Sequence, residues 1–255
     1  MVRHNCIMKT KVLGLTIVLL VSGCSHKAEN IVTPREQAKA ASSSATNAAT
    51  LQIPFRLGTD ESNAALLGRE CAVIWFASES KTLNEQAMNN DIVTAATLAK
   101  ALGVSYSLDQ FRNAFKKTEH KAVVDFDTLF PEMINREKGK KIRDMYLFSF
   151  WCTASRNFAL LVPLWKDPKE QNVVMRWVTA PLANAEKVAG PYDPDIALAC
   201  DELEVGSLAH PLDTFEMAGK FADEVLRLQK EFLSKYMTAD QVAMVVQPLL
   251  EKRQK

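Results

Sequence analysis

The residues with the widest chemical scope here are the cysteines, Cys6, Cys24, Cys71, Cys152 and Cys200. No two are spaced Cys-x-x-Cys, so thiol-disulfide exchange and a zinc ribbon lack their basic element. A disulfide between Cys152 and Cys200 would close a loop long enough to add about 4 kcal/mol in the chain-entropy model. Free thiols in apolar runs, acting as small hydrophobes, are the equal alternative. The histidines, His4, His26, His120 and His210, form no pair at metal-ligand spacing, and no His-Glu-x-x-His occurs. Gly-x-Ser-x-Gly and glycine-rich phosphate loops are absent as well. Two further groupings place polar side chains where they could cooperate. Asp125 and Asp127 end an apolar stretch, Ala122-Val123-Val124-Asp125-Phe126-Asp127-Thr128-Leu129, and Ser78 stands one helical turn from Lys81 in Ser78-Glu79-Ser80-Lys81. Two acidic clusters, Tyr192-Asp193-Pro194-Asp195 and Asp201-Glu202-Leu203-Glu204, lack the glycine-centred loop of a calcium site and read as solvated loop acids.

Three of these groupings resemble known motifs. Leu20-Val21-Ser22-Gly23-Cys24, small residues before a cysteine at the end of an apolar run, resembles the lipobox of bacterial lipoproteins. The resemblance implies that Cys24 receives a diacylglycerol on sulfur, becomes the first mature residue after cleavage and is acylated on its new amino group. It also places the protein on the periplasmic face of the cell outer membrane, because Ser25 stands where aspartate marks retention in the inner membrane. The Asp-x-Asp stretch resembles the first motif of haloacid-dehalogenase-type phosphatases, which would make Asp125 the nucleophile and Asp127 the acid/base around magnesium. It departs from that family in the spacing after the second aspartate and in having no Gly-Asp-x-x-x-Asp downstream. Ser78 and Lys81 match the Ser-x-x-Lys of penicillin-recognising enzymes, and Ser155-Arg156-Asn157 offers a Ser-x-Asn, but Lys-Thr-Gly is missing.

The elements that would position these residues fall into three stretches. Lys9 and Lys11 precede an uncharged run from Val12 to Leu20, too short to span a bilayer, which needs about 20 apolar residues. Residues 1–23 therefore read as a cleaved secretory signal, with Met8 an alternative start to Met1. Residues 24–52 form the lipidated end and a tether of small polar residues, whose root-mean-square reach is about 30 Å. Residues 53–255 form a single globular domain. Helical spacing begins near Thr59 or Asp60. It recurs from the capping box Thr82-Leu83-Asn84-Glu85 to Gly103, and again from Ser107-Leu108-Asp109-Gln110. Asp213 with Glu216, and Thr238 with Gln241, open two more helices, the last shortened by Pro248. Between these, residues 145–152, 158–165 and 173–179 are apolar, rich in Phe, Tyr, Trp and Val, and separated by polar stretches that include Lys166-Asp167-Pro168. They predict a small antiparallel meander, with residues 121–126 as a further strand, in an otherwise mainly helical α+β fold. The alternative is all-α, with one buried helix over about 141–162.

Charge narrows the function classes. The chain of 255 residues has 31 Lys and Arg against 30 Asp and Glu; losing Arg3, Lys9 and Lys11 with the signal leaves 28 against 30, a net of −2. Its densest basic cluster is only Lys140, Lys141 and Arg143, so a nucleic-acid partner is not expected. Every catalytic template lacks an essential part, and neither a cofactor, a metal nor a small-molecule substrate is expected. The expectation is a lipid-anchored protein acting by protein contact, as an accessory subunit of an envelope, secretion or conjugation complex. A periplasmic immunity protein and a metal-dependent phosphatase using Asp125 and Asp127 are the alternatives.

Overall fold

The aromatic-rich middle of the chain is a helix. The computed structural model of the protein describes residues 58–80, 85–103, 138–210 and 212–246, all within one compact unit, Arg56–Lys255. In chain order its helices are α1 (Asp60–Ser80), α2 (Glu85–Ala101), α3 (Gly139–Ala159), α4 (Pro168–Ala189), α5 (Pro194–Ala209), α6 (Phe215–Ser234) and α7 (Ala239–Val246), with a 3-10 turn at Val162–Leu164. No strand occurs among the described residues, so the α+β expectation with its meander over 145–152, 158–165 and 173–179 is overturned in favour of the all-α alternative. The suggested strand over 121–126 lies outside the described residues.

The physical reason is the position of α3. It packs on α1, α4 and α6, which surround it, and 16 of its 21 residues are buried. A helix covered on all sides needs apolar residues all round, which erases the 3.6-residue period and leaves a continuous run that imitates a buried strand. Phe148 meets Phe232 of α6 in a tilted pair with ring centroids 4.0 Å apart; Phe150 and Phe158 meet Trp75 of α1 at 5.7 and 4.8 Å; Phe158 also meets Trp177 of α4 at 5.3 Å. The stretch expected to turn one strand into the next is instead a helix start. Asp167 accepts a hydrogen bond from the Lys169 backbone N–H at 2.8 Å and Pro168 takes the first helical position, where its missing N–H costs nothing.

Helix α1 runs closest to α3. Ala64, Ala65, Gly68 and Ala72 are fully enclosed or nearly so, and a Cβ added to Gly68 would stand 2.1 Å from the Tyr146 carbonyl oxygen. Glycine there lets the two backbones touch. Thr59 caps α1 by accepting from the Ser62 N–H at 3.3 Å, as its sequence suggests. Helix α2 gives way to a turn at Gly103, which takes a φ of 79°, the left-handed conformation glycine adopts without strain.

The C-terminal pair is held by its caps. Thr214 Oγ1 accepts from the Met217 N–H at 3.2 Å at the start of α6. At α7, Thr238 and Gln241 make the reciprocal pair expected from sequence: the Thr238 N–H donates to Gln241 Oε1 at 3.0 Å, and the Gln241 N–H donates to Thr238 Oγ1 at 3.4 Å. The helix suggested from Ser107, and Pro248, lie outside the described residues.

Candidate functional site

The residues nominated for chemistry do not assemble into a reaction centre among the described residues. Cys24, Asp125, Asp127, His120 and Lys81 lie outside them. Ser78 falls in the last turn of α1. Ser155, Arg156 and Asn157 are buried within α3, where each of the first two has a structural task. Ser155 Oγ donates to the Val178 carbonyl at 2.9 Å, beside the point where Pro181 removes a hydrogen bond from α4. Arg156 donates to the Val246 carbonyl at 3.3 Å, tying α3 to the last residue of α7. Burial, with Arg69 nearby, lowers the Arg156 pKa to about 10.

Cys71, Cys152 and Cys200 are buried free thiols. Burial pushes Cys71 and Cys200 up to about 12 and Cys152 well above its ordinary value. Thiols held this far from ionisation are poor nucleophiles. Cys152 and Cys200 lie near enough for charge on Cys200 to raise Cys152 further, which brings the two residues of the candidate disulfide into one neighbourhood as thiols.

Inside the bundle a second polar group ties α3 to α6. Gln229, fully enclosed, donates through Nε2 to Ser149 Oγ at 3.1 Å and Thr153 Oγ1 at 3.3 Å. At one end of α3, Tyr192 donates to Asp144 at 2.7 Å, Lys235 pairs with Asp193, and Lys141 lies over the Tyr236 ring at 4.7 Å. Burial, then the hydrogen bond to Asp144, raises the Tyr192 pKa, so its hydroxyl stays protonated at neutral pH. These groups bond to one another and fix helix positions.

The unsatisfied surface is on α5. Asp193 and Pro194, read from sequence as part of a solvated loop, are its cap and first helical residue: the Ile196 N–H donates to Asp193 Oδ1 at 3.4 Å. Ile196, Ala197, Cys200 and Ser207 turn inward. On the opposite side Leu198 and Val205 each expose 57% of their surface, and Leu208, one turn beyond and rotated toward the flank, exposes 61%, an exposed apolar patch on a helix already apolar on its inner side. Phe215 and Met217 are also exposed at the start of α6, the next element and one in contact with α5.

Acids border this patch. Asp195, Asp201 and Glu202 are exposed, and the carboxylates of Glu186, Asp201 and Glu204 have oxygens all within 4.8 Å of one another. Burial, then Glu186 and Asp201, raises the Glu204 pKa, with Lys187 opposing. Sequence reasoning saw the acids and missed the helix carrying them; the signals were Asp-Pro as cap and first residue, followed by apolar residues at 196, 200 and 203. No described helix is long and apolar enough to cross a membrane. No protein-family model, no curated protein and no solved structure matches this chain.

Proposed function

We propose that this chain is a lipoprotein of the bacterial envelope, anchored through Cys24 in the outer membrane and facing the periplasm, and that it works by binding another protein through the outer face of α5. The address rests on the signal and the Leu20-Val21-Ser22-Gly23-Cys24 string. Two or more acyl chains give the stable anchoring that one chain does not. The contact reading is carried by one observation: Leu198, Val205 and Leu208 are large apolar residues exposed within three turns of one capped helix. Scattered exposed apolar residues are common, but a cluster of them on one helix is a surface suited to a partner.

The address is tested by labelling cells with radioactive palmitate. Wild-type protein takes up label, and Cys24→Ser stays unprocessed and unlabelled; labelling of the variant would refute anchoring at Cys24. For the contact, a photo-crosslinking residue at Val205 gives a discrete protein adduct in intact cells, and the same residue at exposed Lys230 on α6 gives none. An accessory subunit yields a resident envelope component, an immunity protein yields an imported toxin, and absence of any adduct at Val205 refutes the reading.

A further inference from the structure

Charge identifies the kind of segment that fits the α5 face. Helix α5 carries Asp195, Asp201, Glu202 and Glu204 and not one Lys or Arg. Leu198 and Val205 are seven residues apart and so lie on one line, with Leu208 one turn beyond. Asp201 and Glu202, three and four residues after Leu198, flank that line on either side. A second copy of this chain packed face to face on the same helix would bring these acids against their own counterparts, and an anionic lipid surface would meet the same repulsion. A partner with apolar residues between cations meets neither.

Two further observations agree. Ionisation of Glu204 is opposed by burial and by Glu186 and Asp201, which Lys187 offsets only in part, so a further cation would relieve the remaining conflict. Gly206 is exposed within α5, and no described heavy atom lies within 4 Å of the position its Cβ would occupy. Nothing in the described fold calls for glycine there, and a helix-interior glycine is less favourable than alanine. A bare backbone on the exposed side of α5, next in sequence to Val205, admits close approach by another chain.

We infer that the outer face of α5 binds a basic amphipathic segment of a partner protein, its apolar residues on Leu198, Val205 and Leu208 and its Lys and Arg side chains on Asp195, Asp201 and Glu202. This rests on the protein-contact reading and adds the chemistry of the partner. The test uses full-length lipidated protein in cells, with the photo-crosslinking residue at Leu198 and at Leu208. Both positions give an adduct with one partner, mapping to a peptide with an excess of Lys and Arg. Asp201→Lys with Glu202→Lys cuts the yield by about tenfold, Asp201→Asn with Glu202→Gln cuts it less, and Glu170→Lys on α4 leaves it unchanged. Circular dichroism of each variant matches wild type and each stays fully folded in the absence of urea, so a lost adduct reports the surface and not the fold. Adducts that survive charge reversal, or that map to an acidic peptide, overturn the inference and leave the contact reading standing. An adduct only with a second copy of the chain overturns it too, and no adduct at either position overturns both.

Discussion

At the scale of single residues, the fold depends on two positions whose side chains are small or polar where a large apolar one would be expected. Gly68 is needed because the backbones of α1 and α3 touch there, a Cβ having only 2.1 Å to the Tyr146 carbonyl oxygen. A backbone atom cannot swing aside as a side-chain end can, so Gly68→Ala must separate two helices. Overpacking of this kind costs about 1–3 kcal/mol, and this site belongs at or above the upper end, read as a lowered urea midpoint. An unchanged midpoint would show that the crossing is looser than described. Gln229 is the second position, enclosed and donating to Ser149 and Thr153. Gln229→Met keeps the approximate volume and removes the amide, isolating the hydrogen bonds. A loss of about 1–2 kcal/mol is expected in urea denaturation. No loss would mean that the amide contributes only bulk.

At the scale of elements, what could be read in the sequence follows from how each helix is covered. Helices α6 and α7 cover the bundle on one side, so their apolar residues keep the helical period; the α7 cap is legible in Thr238 and Gln241, whereas α6 is capped by Thr214, one residue after the Asp213 that the sequence suggests. Helix α3 is covered on all sides and lost that signal; its Phe and Tyr residues imitated strands because β propensity reports a fit to half-buried surfaces rather than a backbone preference. Lys166-Asp167-Pro168 was recognised as a break, but a break before a strand and one before a helix share the same residues. Helix α5 failed for the opposite reason: with apolar residues on both inner and outer faces and acids between them, it resembled an acidic loop. Its cap gives a pH test. Burial alone would raise the Asp193 pKa, but the Lys235 hydrogen bond and the Ile196 N–H outweigh it, and the net shift is downward. A carboxylate shifted down adds stability that is complete above its unfolded value, about 3.9, and lost as pH falls through the lower folded value. Asp193→Asn keeps a capping oxygen and removes the charge. Its deficit relative to wild type therefore holds at neutral pH, begins to narrow near pH 4 and closes below the folded value; a deficit independent of pH would remove charge from the account. On the outer face of the same helix, Gly206→Ala has space and gains helix propensity, so stability rises by about 0.5–1 kcal/mol in thermal or urea unfolding. A loss would reveal a neighbour at that position.

At the scale of the whole molecule, the arrangement around α3 governs how the bundle opens. Because α3 touches α1, α4 and α6, none of those helices can leave without exposing at least one of Phe148, Phe150 and Phe158, each large aromatic contributing about 1.5–3 kcal/mol by burial. Helix α5 is different: it rests mainly on α4, has few contacts with α6, and does not figure among the helices that surround α3. The three buried thiols sample these positions, Cys71 on α1, Cys152 on α3 and Cys200 on α5. All three are held protonated by burial, so alkylation at neutral pH waits for opening. Labelling native protein with a thiol reagent across a urea series, resolved by peptide mass spectrometry, gives an opening free energy for each. Cys71 and Cys152 should share the value of global unfolding, a single transition of about 5–15 kcal/mol for a domain of this size. Cys200 should label with a smaller free energy and a weaker urea dependence, because α5 can detach and expose less surface than the whole bundle. If α5 is the docking element, binding of the partner should raise all three values by the same increment, because the detached and the globally unfolded states both lose the site. Equal values at all three thiols without a partner would show that α5 is part of the cooperative core and that its exposed face is presented by a rigid helix.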